Sequence, residues 1–343
     1  MKKYLMLFCA LCLGASAVVV SSCKSDDDKV SKLEREYFSV ENGTYRDGQF
    51  PAGTPGHTLS GITVNRNALT GGMNFVTIVS QTAYKRFFVG VKDVPGYWEY
   101  DASTLQTSRA GNYVTYSIPV MMSTNYNSNM TMLISGEEVD GEITTPYEAQ
   151  VNYVQSMSGD LNINLTFSNA KDVDLHLYMP DGEHIYYSHR GGTAYDSNDN
   201  PILDQDGNSV TYGLDIDSNA GCSIDNINNE NIYIPADLLI DGTYRVVVDM
   251  YSNCDRSIPT SWSIIARYKG SVLPVQSGAN PATGVYPVGC GNGDMTTVMT
   301  FTINNGNVTR SGVQRLTKDM FRPIAPTDMD IMKALDAEAR MAK

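Results

Sequence analysis

The chain has 343 residues, 42% of them hydrophobic and 18% charged, a composition that excludes disordered and fibrous proteins. Asp and Glu outnumber Lys and Arg by 38 to 25, and the formal charge of −13 leaves no basic surface to neutralise phosphates, which argues against nucleic acid as a partner. Beyond a leader, about 320 residues exceed what one core usually serves, so two domains are expected.

At the N-terminus, Lys2 and Lys3 precede an apolar run from Leu5 to Val20 that is only 16 residues long. Roughly 20 are needed to span a bilayer as a helix, so residues 1–22 read as a cleaved signal peptide. Val20-Ser21-Ser22-Cys23 resembles a bacterial lipobox, in which small residues precede a cysteine that receives a diacylglycerol. The resemblance implies that Cys23 is lipidated and becomes the first mature residue, making the lipid bilayer a partner. Lys24-Ser25-Asp26-Asp27-Asp28 resembles the acidic tether, here assigned to 23–37, that directs lipoproteins of the Bacteroidetes to the outer face of the outer membrane. An ordinary secretory leader is the alternative.

The body reads as strands. Gly61 to Asn67, Met73 to Ser80, Tyr84 to Lys92, Tyr113 to Met121 and Met130 to Ser135 are joined by turn-forming residues and suffice for a first β-sandwich over 38–145. The glycine-punctuated stretch Ser135 to Glu142 places the boundary just beyond it. In the second domain, 146–317, period-two alternation is clear in Leu161, Ile163, Leu165 and Phe167, in Val173, Leu175 and Leu177, in Tyr244 to Met250 and in Trp262 to Tyr268. These are expected to be half-buried strands. Without helical periodicity between them, parallel βαβ units are disfavoured, and the fold class is all-β, two tandem antiparallel sandwiches. The tail 318–343 is expected to be partly helical, since Thr327 and Asp330 are spaced as a capping box. Of the three cysteines past the leader, at most one pair can close: Cys222 with Cys254, Cys254 with Cys290, or none.

The chemistry concentrates in acids. A strand over Asp172-Val173-Asp174-Leu175-His176 puts Asp172, Asp174 and His176 on one face, with the carboxylates about 7 Å apart. A partly buried pair at that distance repels by roughly 2 to 3 kcal/mol, which a cation would relieve. Leu214-Asp215-Ile216-Asp217-Ser218-Asn219 repeats the pattern, and Asn229-Glu230-Asn231 adds another carboxylate. Hard oxygen donors in such number suit calcium, and zinc would want more His or Cys. Asp204-Gln205-Asp206-Gly207-Asn208 resembles half a calcium loop but lacks the remaining positions and flanking helices, and reads as a polar loop tip.

Asp172-Val173-Asp174-Leu175-His176-Leu177, Pro180-Asp181-Gly182, Gly191-Gly192, Leu214 to Asn219, Glu230 to Tyr233 and Gly242-Thr243-Tyr244 occur in the order found in a bacterial β-sandwich family of unknown function. The resemblance covers about 160–270. Some members of that family sit beside von Willebrand A-type modules, and the resemblance implies an extracytoplasmic binding or structural domain with no established reaction. Its motifs coincide with the clustered acids, so Asp172, Asp174, Asp215, Asp217, Asn219 and Glu230 are the expected metal ligands. The insert from Thr193 to Tyr212 departs from the compact form.

No Gly-x-Ser-x-Gly elbow, His-Glu-x-x-His or phosphate loop is present, and acids on adjoining strands are too common to argue for glycoside hydrolysis, so no enzyme is expected. His184-Ile185-Tyr186-Tyr187-Ser188-His189-Arg190 holds rings that can stack on a sugar, against the plainer reading of a strand running into a loop. Two functions fit: a surface-tethered, calcium-stabilised binder of a glycan or protein, or a structural or adhesive subunit, whose plan of two sandwiches behind a lipid anchor resembles Bacteroidetes fimbrial proteins.

Overall fold

The computed structural model describes residues 30–40, 42–110, 113–196, 198–304 and 307–308, in which the period-two segments form four sheets arranged as two all-β sandwiches. In the first, one sheet has the order Phe38–Ser39, Tyr113–Met122, Met73–Ser80, Ile62–Val64, with Gln106–Ala110 also on Tyr113–Met122. The other runs Thr44–Arg46, Tyr97–Asp101, Tyr84–Val91, Met130–Glu138, Tyr147–Val154, Asn67–Leu69. Along Tyr113–Met122, every second side chain is buried, as period-two burial of one face requires. Phe38, Val76, Ile78, Phe87, Ile118, Ile134 and Val151 share the first core.

In the second sandwich, one sheet has the order Gly191–Thr193, Thr211–Ile216, Asn229–Ile234, Leu161–Phe167, Thr260–Tyr268, Ser271–Val272, with Ala282–Tyr286 also on Thr260–Tyr268. The facing sheet runs His184–Ile185, Asp172–Tyr178, Gly242–Ser252, Asp294–Asn304, Ser277–Gly278. Ile163, Leu165, Val173, Leu175, Ile232, Val246 and Phe301 meet between them. Every pairing of named strands is antiparallel except Asn67–Leu69 with Tyr147–Val154.

Four expectations change. Gly61 to Asn67 is two strands, Ile62–Val64 and Asn67–Leu69, in different sheets. The domain boundary moves past residue 145, because Tyr147–Val154 pairs with Met130–Glu138 inside the first sandwich. The tether ends earlier than residue 37: Lys32–Glu36 is a helix, capped by Ser31 Oγ accepting from Glu34 N at 3.1 Å, and buries Leu33. Leu161–Phe167 is not half-buried, since Asn164 and Thr166 on its polar face lie beneath the first sandwich. There Asn65 Nδ2 donates to Thr166 Oγ1 at 3.1 Å, and Arg267 Nε donates to Gly71 O at 2.7 Å. The leader, Cys23 and the C-terminal tail lie outside the described residues.

A disulfide joins Cys222 to Cys254, and Cys290 is a buried free thiol. Where the expected Gly191-Gly192 motif meets its partner strand, Gly213 has φ +126°, and a Cβ there would sit 1.8 Å from Arg190 O, so no other residue fits.

Candidate metal centre

Alternation along Asp172–Tyr178 sends Val173, Leu175 and Leu177 into the core, and the intervening Asp172, Asp174 and His176 are also buried, each 1% exposed. Their strand pairs with Gly242–Ser252 on one side, but on the other His184–Ile185 reaches only Leu177 and Tyr178. Glu230 occupies the edge left over. It comes from Asn229–Ile234 in the facing sheet, in phase with the core residues Ile232 and Ile234, and its Oε2 accepts the Leu175 N–H at 2.6 Å. A carboxylate thus takes the place of a missing strand.

Asp217 follows the Thr211–Ile216 strand and completes the cluster: one oxygen each from Asp172, Asp174 and Asp217 lies within 4.8 Å of the others. That spacing can hold a metal ion. Asp172 Oδ2 accepts from Gly221 N at 2.8 Å, whereas both oxygens of Asp174 and Oε1 of Glu230 are buried with no hydrogen-bond donor. Oxygen atoms in that state are costly unless a proton or cation satisfies them.

Electrostatics point the same way. Burial, then Glu230, Asp172, Asp249 and Asp217 in that order, push the Asp174 carboxyl well above the usual range. Glu230 is also raised, by burial first and Asp217 next, against the opposing Leu175 N–H. Arg190 Nη1 reaches Asp217 Oδ2 at 3.6 Å, but Lys171, beside Asp172 in sequence, spends its ammonium on Asn253 Oδ1, Asp255 O and Ile258 O at 2.5–2.7 Å.

Two expected ligands do not join. Asp215 is the inserted residue of a bulge, since Leu214 pairs with Ile232 and Ile216 with Asn231. The bulge breaks the phase that would have aligned it with Asp217, and Asp215 accepts from Met157 N at 2.5 Å and Asn231 Nδ2 at 2.6 Å. Asn219, left-handed at φ 60°, is a bracket: its Oδ1 accepts from Asp225 N and Asn226 N, and its Nδ2 donates to Lys171 O and Asn228 Oδ1. Asp204 Oδ1 likewise accepts the backbone N–H groups of Asp206 and Asn208 in an exposed turn.

Sequence reasoning missed Asp249. It stands directly opposite Asp174 across the ladder and is buried. Its signal was a lone acid in the run Val246-Val247-Val248-Asp249-Met250, and only strand pairing connects it with Asp174. The rings of the His184–Arg190 segment stack on protein: Arg245 lies 3.9 Å over Tyr178, Tyr178 4.0 Å from His184, and His184 4.1 Å from Tyr186. Burial, then Arg245, holds His184 neutral down to about 3.

Fold and site define an all-β, two-sandwich protein with a buried carboxylate cluster able to hold a metal ion. No protein-family model matches the chain, and no curated protein matches it either.

Proposed function

We propose that this chain is a cell-surface, lipid-anchored binding module that catalyses no reaction and whose second sandwich is fastened by calcium on Asp172, Asp174, Asp217 and Glu230. The observation that carries the reading is Asp174, 1% exposed, with neither oxygen hydrogen-bonded and four more acids around it. Calcium suits a set of hard oxygens that includes no thiolate. Bound there, it joins the strand edge at Asp172 and Asp174 to the segment that follows Ile216, which no regular ladder holds.

For the ligand, a glycan is favoured by a cleft between the sandwiches of about 510 Å³, lined by Tyr100 and Trp262 with Ser117, Ser261 and Thr283. Hydroxyls beside the edges of these two buried rings suit a sugar, and the volume is that of small-molecule sites.

Thermal unfolding in EDTA and then in excess Ca²⁺ tests the metal reading. At a hundredfold excess over the dissociation constant, binding adds about 2.7 kcal/mol. An unchanged transition, with no calcium by elemental analysis, rejects it. A glycan array probed with the wild type and Thr283→Trp, which fills the cleft from an exposed position, tests the ligand: signals that the substitution removes support the cleft, and an array with none rejects it.

A further inference from the structure

Arg267 is 9% exposed and forms no ion pair among the described residues; burial alone, with no acid opposing it, holds its guanidinium below the usual arginine range. A buried charge is costly unless it is paired. Three of its five N–H groups have acceptors, Nε giving to Gly71 O at 2.7 Å, Nη1 to Gly270 O at 3.1 Å and Nη2 to Met122 O at 3.4 Å. Two remain.

Arg267 lines a second cavity, of about 300 Å³, where the sandwiches join at the opposite end of Thr260–Tyr268 from Trp262. Arg267 pairs with Asn162 in the adjoining strand, and Asn164, two residues on, shares that face and also lines the cavity. Asn164 is 3% exposed; its Nδ2 donates to Asn231 Oδ1 at 2.7 Å, and its Oδ1 is buried with no donor. An acceptor in that state calls for a partner that none of the described residues supplies. Thr124, Ser156 and Ser158 add hydroxyls to the wall, and no acid lines it. Asp215 bonds to two lining residues, but its oxygens are taken by Met157 N and Asn231 Nδ2.

These groups select a ligand. Two guanidinium N–H groups suit a carboxylate, which accepts them in charge-assisted bonds, and Asn164 Oδ1 suits a hydroxyl. The volume lies at the lower end of small-molecule sites, room for one sugar ring. We infer that this cavity binds a hydroxycarboxylate of monosaccharide size, a uronic acid, with its carboxylate on Arg267 and a hydroxyl on Asn164. The site is separate from the calcium cluster and from the cleft at Trp262, and the inference rests on neither reading.

Isothermal titration of the full chain with D-glucuronate tests it, beside glucose, which lacks the carboxylate, and cyclohexanecarboxylate, which lacks the hydroxyls. Glucuronate should bind, and each of the others about tenfold or more weakly, as the loss of a charge-assisted hydrogen bond or of a buried partner predicts. Three ligands that bind alike, or glucuronate that does not bind, overturn the inference. Ser158→Trp, which fills the cavity from an exposed position bonded to neither Arg267 nor Asn164, should remove glucuronate binding, and Thr283→Trp, in the other cleft, should keep it. Binding that survives Ser158→Trp, or that Thr283→Trp abolishes, overturns the assignment to this cavity. Should Ser158→Trp fail to fold, Thr124→Trp fills the same space from an exposed position on the first sandwich, with the same outcomes.

Discussion

Glu230 and Leu175 belong to facing sheets, yet the Glu230 carboxylate closes the strand edge at Leu175 with a hydrogen bond of 2.6 Å. The bond fixes one oxygen of Glu230 and leaves the other buried without a hydrogen bond. A structural contact and a ligand position are therefore built from one side chain.

Asp174 and Glu230 are both held above the usual carboxylate range, by burial first and by neighbouring acids next. Without metal, the folded chain keeps protons that the unfolded chain releases above about pH 4.3. The folded state then binds more protons, so this contribution to stability falls as pH rises from there toward the raised values. Asp174→Asn carries no such proton. In EDTA, denaturant titrations from pH 5 to 8 should show its stability gaining on the wild type as pH rises. With calcium the trend reverses, because ion and proton compete for the same oxygens. A difference between the two proteins that is flat with pH would contradict the account.

Asp215 and Asp217 should separate cleanly. Asp215→Ala leaves Met157 N without its acceptor and Asn231 Nδ2 with Met157 O alone, and should cost about 1–3 kcal/mol. Its calcium-induced shift should match that of the wild type. Asp217→Asn should abolish the shift, and scanning calorimetry with and without calcium distinguishes the two.

The Cys222–Cys254 bond closes a separation of 32 residues, for which loop-closure entropy gives about 4 kcal/mol. Gly221, beside Cys222, donates to Asp172, so the bond also holds a donor against the cluster. Cys222→Ser with Cys254→Ser should lower stability by that order and weaken calcium binding, as read by isothermal titration. Unchanged affinity would separate the disulfide from the site.

Replacing Cys23 with Ala should release the protein from membranes into the soluble fraction. Continued sedimentation with membranes would remove the lipid anchor from the proposal.

Much of the site was legible locally. Asp172, Asp174 and His176 alternate with Val173, Leu175 and Leu177, and a strand can place them only on one face. Asp215 was misplaced because alternation assumes an unbroken ladder, and the bulge between Leu214 and Ile216 inserts one residue. Asn219 misled because an amide beside acids reads equally as a ligand or a turn bracket, and its left-handed backbone decides for the bracket. Asp249 stayed hidden because which strand pairs with which is not a property of any short window.

Period-two patterning by itself determined the all-β class and most strand positions, because burying one face of a pleated strand requires every second residue to be apolar. Tertiary structure alone decided which carboxylates meet. Glu230 and Asp174 are 56 residues apart and lie in different sheets. Their approach depends on strand order, on one bulge and on an edge left open at Leu175. The same packing, by laying the first sandwich over Asn164 and Thr166, buried a polar face that alternation had assigned to water.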